Sequence, residues 1–430
     1  MQLLLKTEIG HMGHLTKLSV FIFLSFHFLG VSQPLTEKTD LNVYLDCSYC
    51  DLNVLRTNIS YINYLRDPAN ADVHVLATRQ PSGSNGYNYT FDFIGKGLFE
   101  GMSLQRTSVE APNTARAARQ NKLSNTIEKG LMPYWSQTGL IDDLDLKVKN
   151  KAVEDRQVET VELEDPWNNW VFAIDGGGSF DFETVSEKTR IWGRIQINRI
   201  SEKWRIRNTL YGRNDTNRFE SSEGDEKSTI TSNVRRNYLG SSAVRSIDDH
   251  WSAGAFLSLS ESTFSNLNLS TRFAPAFEYS IYPYTEVHQR EVTISYRVSH
   301  IFRDYIEETI FQKLQEHLYN QSLVMTARFK QPWGTLYAQL EGSHYWHDLS
   351  QNRIEFEGYL SFRVSKGLSI RLGSDFELIN DQRSLPAQDI SLEELLLAQR
   401  QAATNFRFGT EFGVSYTFGS IYNNIVNTRL

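Results

Sequence analysis

The sequence predicts a mainly β protein: a transmembrane antiparallel β-barrel of about 12 strands, preceded by a small α/β domain of βαββα order. Three observations predict it. From Trp170 to Phe418 apolar and polar side chains alternate with period two, the period of strands and not of helices. The connections between the alternating runs are short on one side and long on the other. Aromatic residues make up 12% of the 430 residues, in a chain whose mean hydropathy of −0.42 argues against a helical membrane protein.

Composition narrows the remaining classes. With 40% apolar and 22% charged residues the chain is not disordered, and its length suits two domains or one large β-domain. The net charge of −7, from 44 Lys+Arg against 51 Asp+Glu, gives nucleic acid no electrostatic footing. Two cysteines cannot build a disulfide scaffold or a four-thiolate zinc site, and nothing calls for a cofactor.

Residues 1–33 read as an export signal. Lys17 precedes the apolar run Leu18 to Val31, followed by Ser32-Gln33-Pro34 where cleavage would fall. The run is shorter than the roughly 20 apolar residues of a spanning helix, which makes an uncleaved anchor the lesser alternative. Met12 is an alternative start, and no cysteine follows the run to carry a lipid.

Residues 40–140 read as the α/β domain. A short strand from Asn42 to Leu45 leads to a helix with Asp51 as N-cap and Leu55, Ile59 and Ile62 on one face. Val73, Val75 and Ala77 alternate with polar residues, and Tyr89, Phe91 and Phe93 do so again across an Asn85-Gly86 turn, which predicts a hairpin. A second helix is expected from Thr114 to Met132, with Leu123, Ile127 and Leu131 aligned. The stretch NYTFDFIGKG with the later NTARAARQNKLSNTIEKGLM resembles the N-terminal domain of TolB-type periplasmic proteins, over about residues 72–140. That resemblance implies an interaction module with a periplasmic protein partner.

Cys47 and Cys50 form a C-x-x-C between a strand and a helix. A helix N-terminus suits a redox thiol, yet the βαβ continuation of such folds is missing, and an exported chain favours an oxidised structural pair. Residues 141–166 form a charged spacer: the segment 141–165 carries nine Asp/Glu and four Lys/Arg without helical or strand periodicity.

The barrel is expected over 167–419, with residues 420–430 as a tail. Twelve runs fit strands, at about 170–183, 189–199, 204–213, 229–240, 250–260, 267–282, 291–301, 321–331, 334–345, 352–364, 368–379 and 404–419. In the second run Ile191, Ile195 and Ile197 share one face while Arg190 and Arg194 share the other. Connections such as 201–203, 332–333 and 365–367 are short, whereas 214–228, 302–320 and 380–403 are long; the last contains a helix-prone stretch from Ser391 to Ala402. Trp192, Trp204, Trp251, Trp333 and Trp346 are candidates for the aromatic girdles. A soluble β-sandwich or lipocalin-like barrel would reverse the faces, and the pattern alone does not choose between them.

On the polar face, Arg190, Arg194, Arg205, Arg207, Arg297 and Arg328 are candidate lumen residues on one side, and Glu341, Glu355, Glu357 and Glu411 on the other. Such walls either set a transverse field that selects solutes or pair into a closed interior. No catalytic or metal site is assigned. Ser343, His344, His347 and Asp348 are the nearest thing to hydrolase chemistry, but adjacent strand residues face opposite ways. The segment 411–418, EFGVSYTF, resembles the C-terminal β-signal of bacterial outer-membrane proteins through Gly413, Tyr416 and Phe418. That resemblance implies insertion by the barrel assembly machinery into outer-membrane lipid; the extra tail after Phe418 departs from the pattern. YTFGSIYNNIVNTRL resembles the end of uncharacterised Bacteroidota outer-membrane barrels, and residues 170–381 loosely resemble a salt-stress-associated barrel family.

Overall fold

The computed structural model describes residues 41–82, 86–111, 114–138, 167–223, 226–388, 400–420 and 422–424. The export segment 1–33, the spacer 141–166, positions 391–399 of the helix-prone stretch and tail residues 425–430 lie outside the described residues.

The first sheet has five strands in the order β2-β1-β3-β4-β5, formed by β1 (Asn42–Asp46), β2 (Asn63–Leu65), β3 (Val73–Pro81), β4 (Tyr87–Gly95) and β5 (Ser103–Glu110). β1 runs parallel to both β2 and β3, and β3-β4-β5 is an antiparallel meander. Two helices complete the layer, α1 (Leu52–Asn58) and α2 (Arg116–Trp135). Two strands thus join the expected βαββα order. β2 is three residues long, too short to show alternation, and β5 (SLQRTSVE) carries only two apolar residues because it is an edge strand.

Asp51 caps α1 by accepting from the Asn53 N–H at 3.1 Å, as expected. The helix is shorter than its apolar spacing suggested: Ile59 is its C-cap and Ile62 lies beyond it, though both side chains remain buried. α2 begins at Arg116 and continues past Met132 through Pro133 to Trp135. A proline so near the C-terminus removes one helical hydrogen bond and leaves the earlier turns intact. The core lies between this helix and the sheet, with Val73, Val75, Phe91, Phe93, Leu123 and Leu131 fully buried.

The second sheet is a meander of twelve strands in chain order. They are β6 (Trp170–Phe182), β7 (Ser186–Ile200), β8 (Trp204–Glu223), β9 (Glu226–Ser246), β10 (Trp251–Ser262), β11 (Leu267–Ser280), β12 (Arg290–Tyr305), β13 (Gln315–Gln331), β14 (Gly334–Tyr345), β15 (Asp348–Ser365), β16 (Leu368–Ile379) and β17 (Phe406–Tyr416). Every neighbouring pair is antiparallel; among the described residues no ladder joins β6 to β17. Much of the sequence expected to be loop is strand. β8 and β9 extend in register to Glu223 and Glu226, and β12 and β13 extend to Tyr305 and from Gln315. The asymmetry between the two ends therefore resides largely in strands that overshoot, with 380–405 as the longest connection within the second sheet.

The sheet curls around its polar face. One cavity is lined by side chains from β8 through β14, seven consecutive strands, which a flat sheet cannot bring together. The inner positions bury small polar side chains, with Ser295 at 5%, Ser299 at 4% and Asn320 at 6% exposure. The outer positions leave apolar side chains bare, including Leu257 at 44%, Leu340 at 43% and Phe277 at 59%. The distribution is the reverse of a water-soluble core, and it settles the orientation of the two faces that the alternation left open.

Gly130 fixes how closely α2 approaches the first sheet. A Cβ at this position would stand 1.9 Å from the Phe93 ring. Gly130→Ala would add about 1 kcal/mol of helix propensity, but overpacking costs about 1–3 kcal/mol. The expected outcome is a lower melting temperature of the N-terminal domain in near-UV circular dichroism. A rise would mean that the helix stands off further than described.

Candidate functional site

The curled polar face is the candidate site. All ten charged candidates fall on it by register, since positions two apart on a strand share a face. Several are already neutralised. Arg190 and Arg213 both contact Asp215, at 2.8 and 2.7 Å, and Arg194 contacts Asp175 at 3.0 Å. Arg328 pairs with Glu291 at 2.8 Å. Arg353 reaches Glu355 at 3.1 Å and Asp381 at 2.8 Å, and Arg407 pairs with Glu377.

The charges around the two largest openings on this face are segregated by sign. A cavity of about 310 Å³ is lined by Arg207, Arg272 and Arg297, with Glu341 as the one carboxylate. A second, of about 690 Å³, is lined by Glu355, Glu357, Asp375, Glu377 and Glu411, with Arg407 as the one cation. Arg205 lies two residues from Arg207 on the same face of β8. Arg272 was missed by the reading of the sequence; its place among Ser270, Ala274 and Ala276, the even positions of β11, was the available signal. Trp192 belongs to the polar face and not to a girdle: its ring lies 3.1 Å from where a Gly177 Cβ would stand. Its parity with Arg190 and Arg194 already implied this. Trp204, Trp251 and Trp333 are exposed at the opposite end of the strands from Trp346.

Both ends of this face are engaged. At the end with the long connection, residues 380–388 fold against 306–314 through an isolated bridge between Thr309 and Pro386. Arg383, almost fully buried, contacts Glu316 at 2.5 Å and lies 4.5 Å from the Phe311 ring centroid. At the turn end sits the N-terminal domain. Arg363 contacts Asp46 at 2.9 Å, and Lys330 donates to the Tyr49 hydroxyl at 3.0 Å and to the Ala77 carbonyl. The Gly367 N–H donates to Asp67 at 2.6 Å. Gly367 has φ +70°, and a Cβ there would stand 2.0 Å from the Thr417 carbonyl oxygen, so only glycine fits this turn. The tail returns to the same place: Tyr422 bridges Leu65, and Asn424 accepts from the Tyr64 N–H at 2.7 Å.

The hydrolase constellation does not assemble. Ser343 and His344 take opposite faces; His344 contacts Gln321 at 2.6 Å, while Asp348 is occupied by Ser350 and Gln351. His347 lies 3.3 Å from Arg383. Cys47 and Cys50 are joined in a disulfide. Gly413 and Tyr416 lie on β17, the last strand, and Phe418, just beyond it, stacks on Tyr416 at 5.5 Å between ring centroids.

The junction contains one buried histidine. His74 is fully enclosed 3.7 Å from Asp46, too far for a hydrogen bond. Burial pushes its pKa below the ordinary value. Burial alone would raise the Asp46 carboxyl, but His74 and Arg363 outweigh it and hold it below the usual range. For a depressed histidine the stabilisation is present above the unfolded value of about 6.5 and is lost as pH falls through the lower folded value. The protection factors of the β3 and β4 amides, corrected for the intrinsic exchange rate, should therefore fall as pH drops from 7.5 to 5, and His74→Gln should flatten that response. An unchanged response in the variant would assign the acid sensitivity to another group.

No family model and no curated protein matches this chain. Among solved structures it aligns with the NanC porin at 13% identity and a TM-score of 0.26, covering 57% of this chain and 100% of that one. It also aligns with the beta domain of the Bordetella autotransporter BrkA at 11% identity and a TM-score of 0.23, covering 57% of this chain and 98% of that one.

Proposed function

We propose that this chain is a bacterial outer-membrane β-barrel protein, with a narrow, charge-partitioned lumen and an N-terminal domain seated at its periplasmic end. One observation carries the reading: a twelve-stranded sheet that buries serine and asparagine inside and leaves leucine and phenylalanine bare outside. In water that arrangement would expose a continuous apolar surface; in a bilayer it is the stable one. Closure of β6 on β17 belongs to this reading, because an unpaired edge in hydrocarbon leaves backbone groups without partners.

Barrels of this kind place short turns in the periplasm, so the turn end and the docked domain lie there. The exposed Trp204, Trp251 and Trp333 suit an interfacial belt at that end. Insertion through the barrel assembly machinery, guided by the last strand, and a periplasmic protein partner for the N-terminal domain complete the proposal. A lipid hydrolase is the lesser reading, since Ser343 and His344 point to opposite sides of the sheet.

Two neighbouring positions test the polarity. Leu340 faces outward and Gln339 faces the acidic cavity. An arginine facing the bilayer midplane costs about 2–4 kcal/mol. Leu340→Arg is therefore expected to remove most of the heat-modifiable band of outer-membrane preparations on unheated gels, while Gln339→Arg retains it. The opposite order, with a soluble parent protein, would overturn the proposal.

A further inference from the structure

Some arginines on the polar face pair with a carboxylate, such as Arg190 and Arg328, and others do not; among the described residues, three of the unpaired ones share one cavity. Arg207 on β8, Arg272 on β11 and Arg297 on β12 all line the smaller cavity, and among the described residues none has a side-chain hydrogen bond or an ion pair. Arg297 lies 5.0 Å from the Phe256 ring centroid, and its Nε is buried without a partner. Arg207 and Arg272 are exposed and Arg297 is half-buried, so three positive charges face one open cavity with a single carboxylate on its wall.

Apart from Tyr238, Phe256 and Leu257, the wall around them is made mostly of small side chains. Gly240, Ser242, Ser258, Ala274, Ser299 and Ser322 line the same space. The register sets Ser242 beside Arg207 and Phe256, Ser258 beside Arg272, and Ser322 beside Arg297. Long side chains here would let the arginines be answered from within the protein, as Asp215 answers Arg190 and Arg213. Instead, about 310 Å³ is left open, the size of a small-molecule site, with hydroxyls on its walls. Glu341 offsets one of the three positive charges, so the cavity keeps a net positive charge.

We propose that this cavity is a binding site for a small solute bearing an oxyanion, a carboxylate or a phosphate ester. Arg272 and Arg297 hold the anionic group, Arg207 supplies long-range attraction, and the serines accept or donate to the hydroxyls of the body. Guanidinium groups suit both anions because their planar donors match two oxygens at once. The site rests on the barrel reading, which makes this face a water-filled lumen. It divides the lumen into a half that holds anions and a half, lined by Glu355, Glu357 and Glu411, that repels them.

The test uses the full chain refolded in detergent and titrated calorimetrically with D-glucuronate, glucose 6-phosphate and glucose. At least one of the two acids should bind and glucose should not. Arg272→Gln and Arg297→Gln should each weaken binding about tenfold, in line with one lost charge-assisted hydrogen bond of about 1.4 kcal/mol. Glu357→Gln, in the acidic cavity, should leave it unchanged. A heat-modifiable parent that binds neither acid, or equal binding by the parent and the two arginine variants, overturns the inference and leaves the barrel standing. A parent without a heat-modifiable form removes the barrel reading, and the site with it. Since the parent titration alone can overturn the site, variants that fail to fold do not shield it.

Discussion

The constraint on which the rest depends is the direction in which the twelve-stranded sheet curls. A strand offers one set of side chains to each face and cannot mix them without changing register. Because this sheet curls around serine, asparagine, arginine and glutamate, the leucines and phenylalanines have nowhere to go but outward. Charges face each other in a confined, wetted space where their pairing matters. The apolar exterior requires a solvent other than water. The sheet's ends become the only places at which polar segments, loops or another domain can make contact.

Confinement also explains why the polar face is divided. Where an arginine and an acid stand on adjacent strands within reach, as with Arg190 and Asp215 or Arg328 and Glu291, they pair and fill the space. Where adjacent strands carry glycine, alanine and serine instead, a long arginine finds no answer and space remains. Where acids crowd together, as at Glu355, Glu357 and Glu411, one arginine, Arg407, lines the same cavity. Side-chain size and charge placement thus produce two cavities of opposite sign from a single alternating pattern.

How much of this was legible in the sequence depended on burial. Runs such as 191–197 and 406–418, with one apolar and one polar face, declared themselves as strands because hydrocarbon and water select different residues. The stretches 214–223 and 315–320 lie at the ends of the strands, towards the long connections. They are mostly polar, with Phe219, Leu318 and Tyr319 too sparse to show an alternation, so they looked like loop although their backbone ladders are complete. β2 and β5 escaped for related reasons, one too short and one at an exposed edge. Arg190 and Arg194 were visible as a polar stripe, but their partners Asp215 and Asp175 lie on neighbouring strands, and local spacing carries no information about cross-strand pairs. For the same reason Arg272 became interesting only once its neighbours were seen to leave it unpaired.

The seating of the N-terminal domain adds a link that no local pattern contains. Asp46 and Arg363 are 317 positions apart, and Tyr64 and Asn424 are 360 apart. The tail beyond the last strand, which looked like an appendage to a terminal signal, brings Tyr422 and Asn424 back to β2 and so ties the end of the chain to its beginning. Surface ion pairs contribute little singly. Here, however, the contacts come from three separate parts of the barrel chain, namely the turn at Gly367, the strand ends at Lys330 and Arg363, and the tail, and all grip one small domain. A domain held at several points loses its freedom to tilt, which converts weak contacts into a defined position over the turn end. With Arg383 drawn inward to Glu316 at the opposite end, the polar interior is met by side-chain contacts at both of its ends.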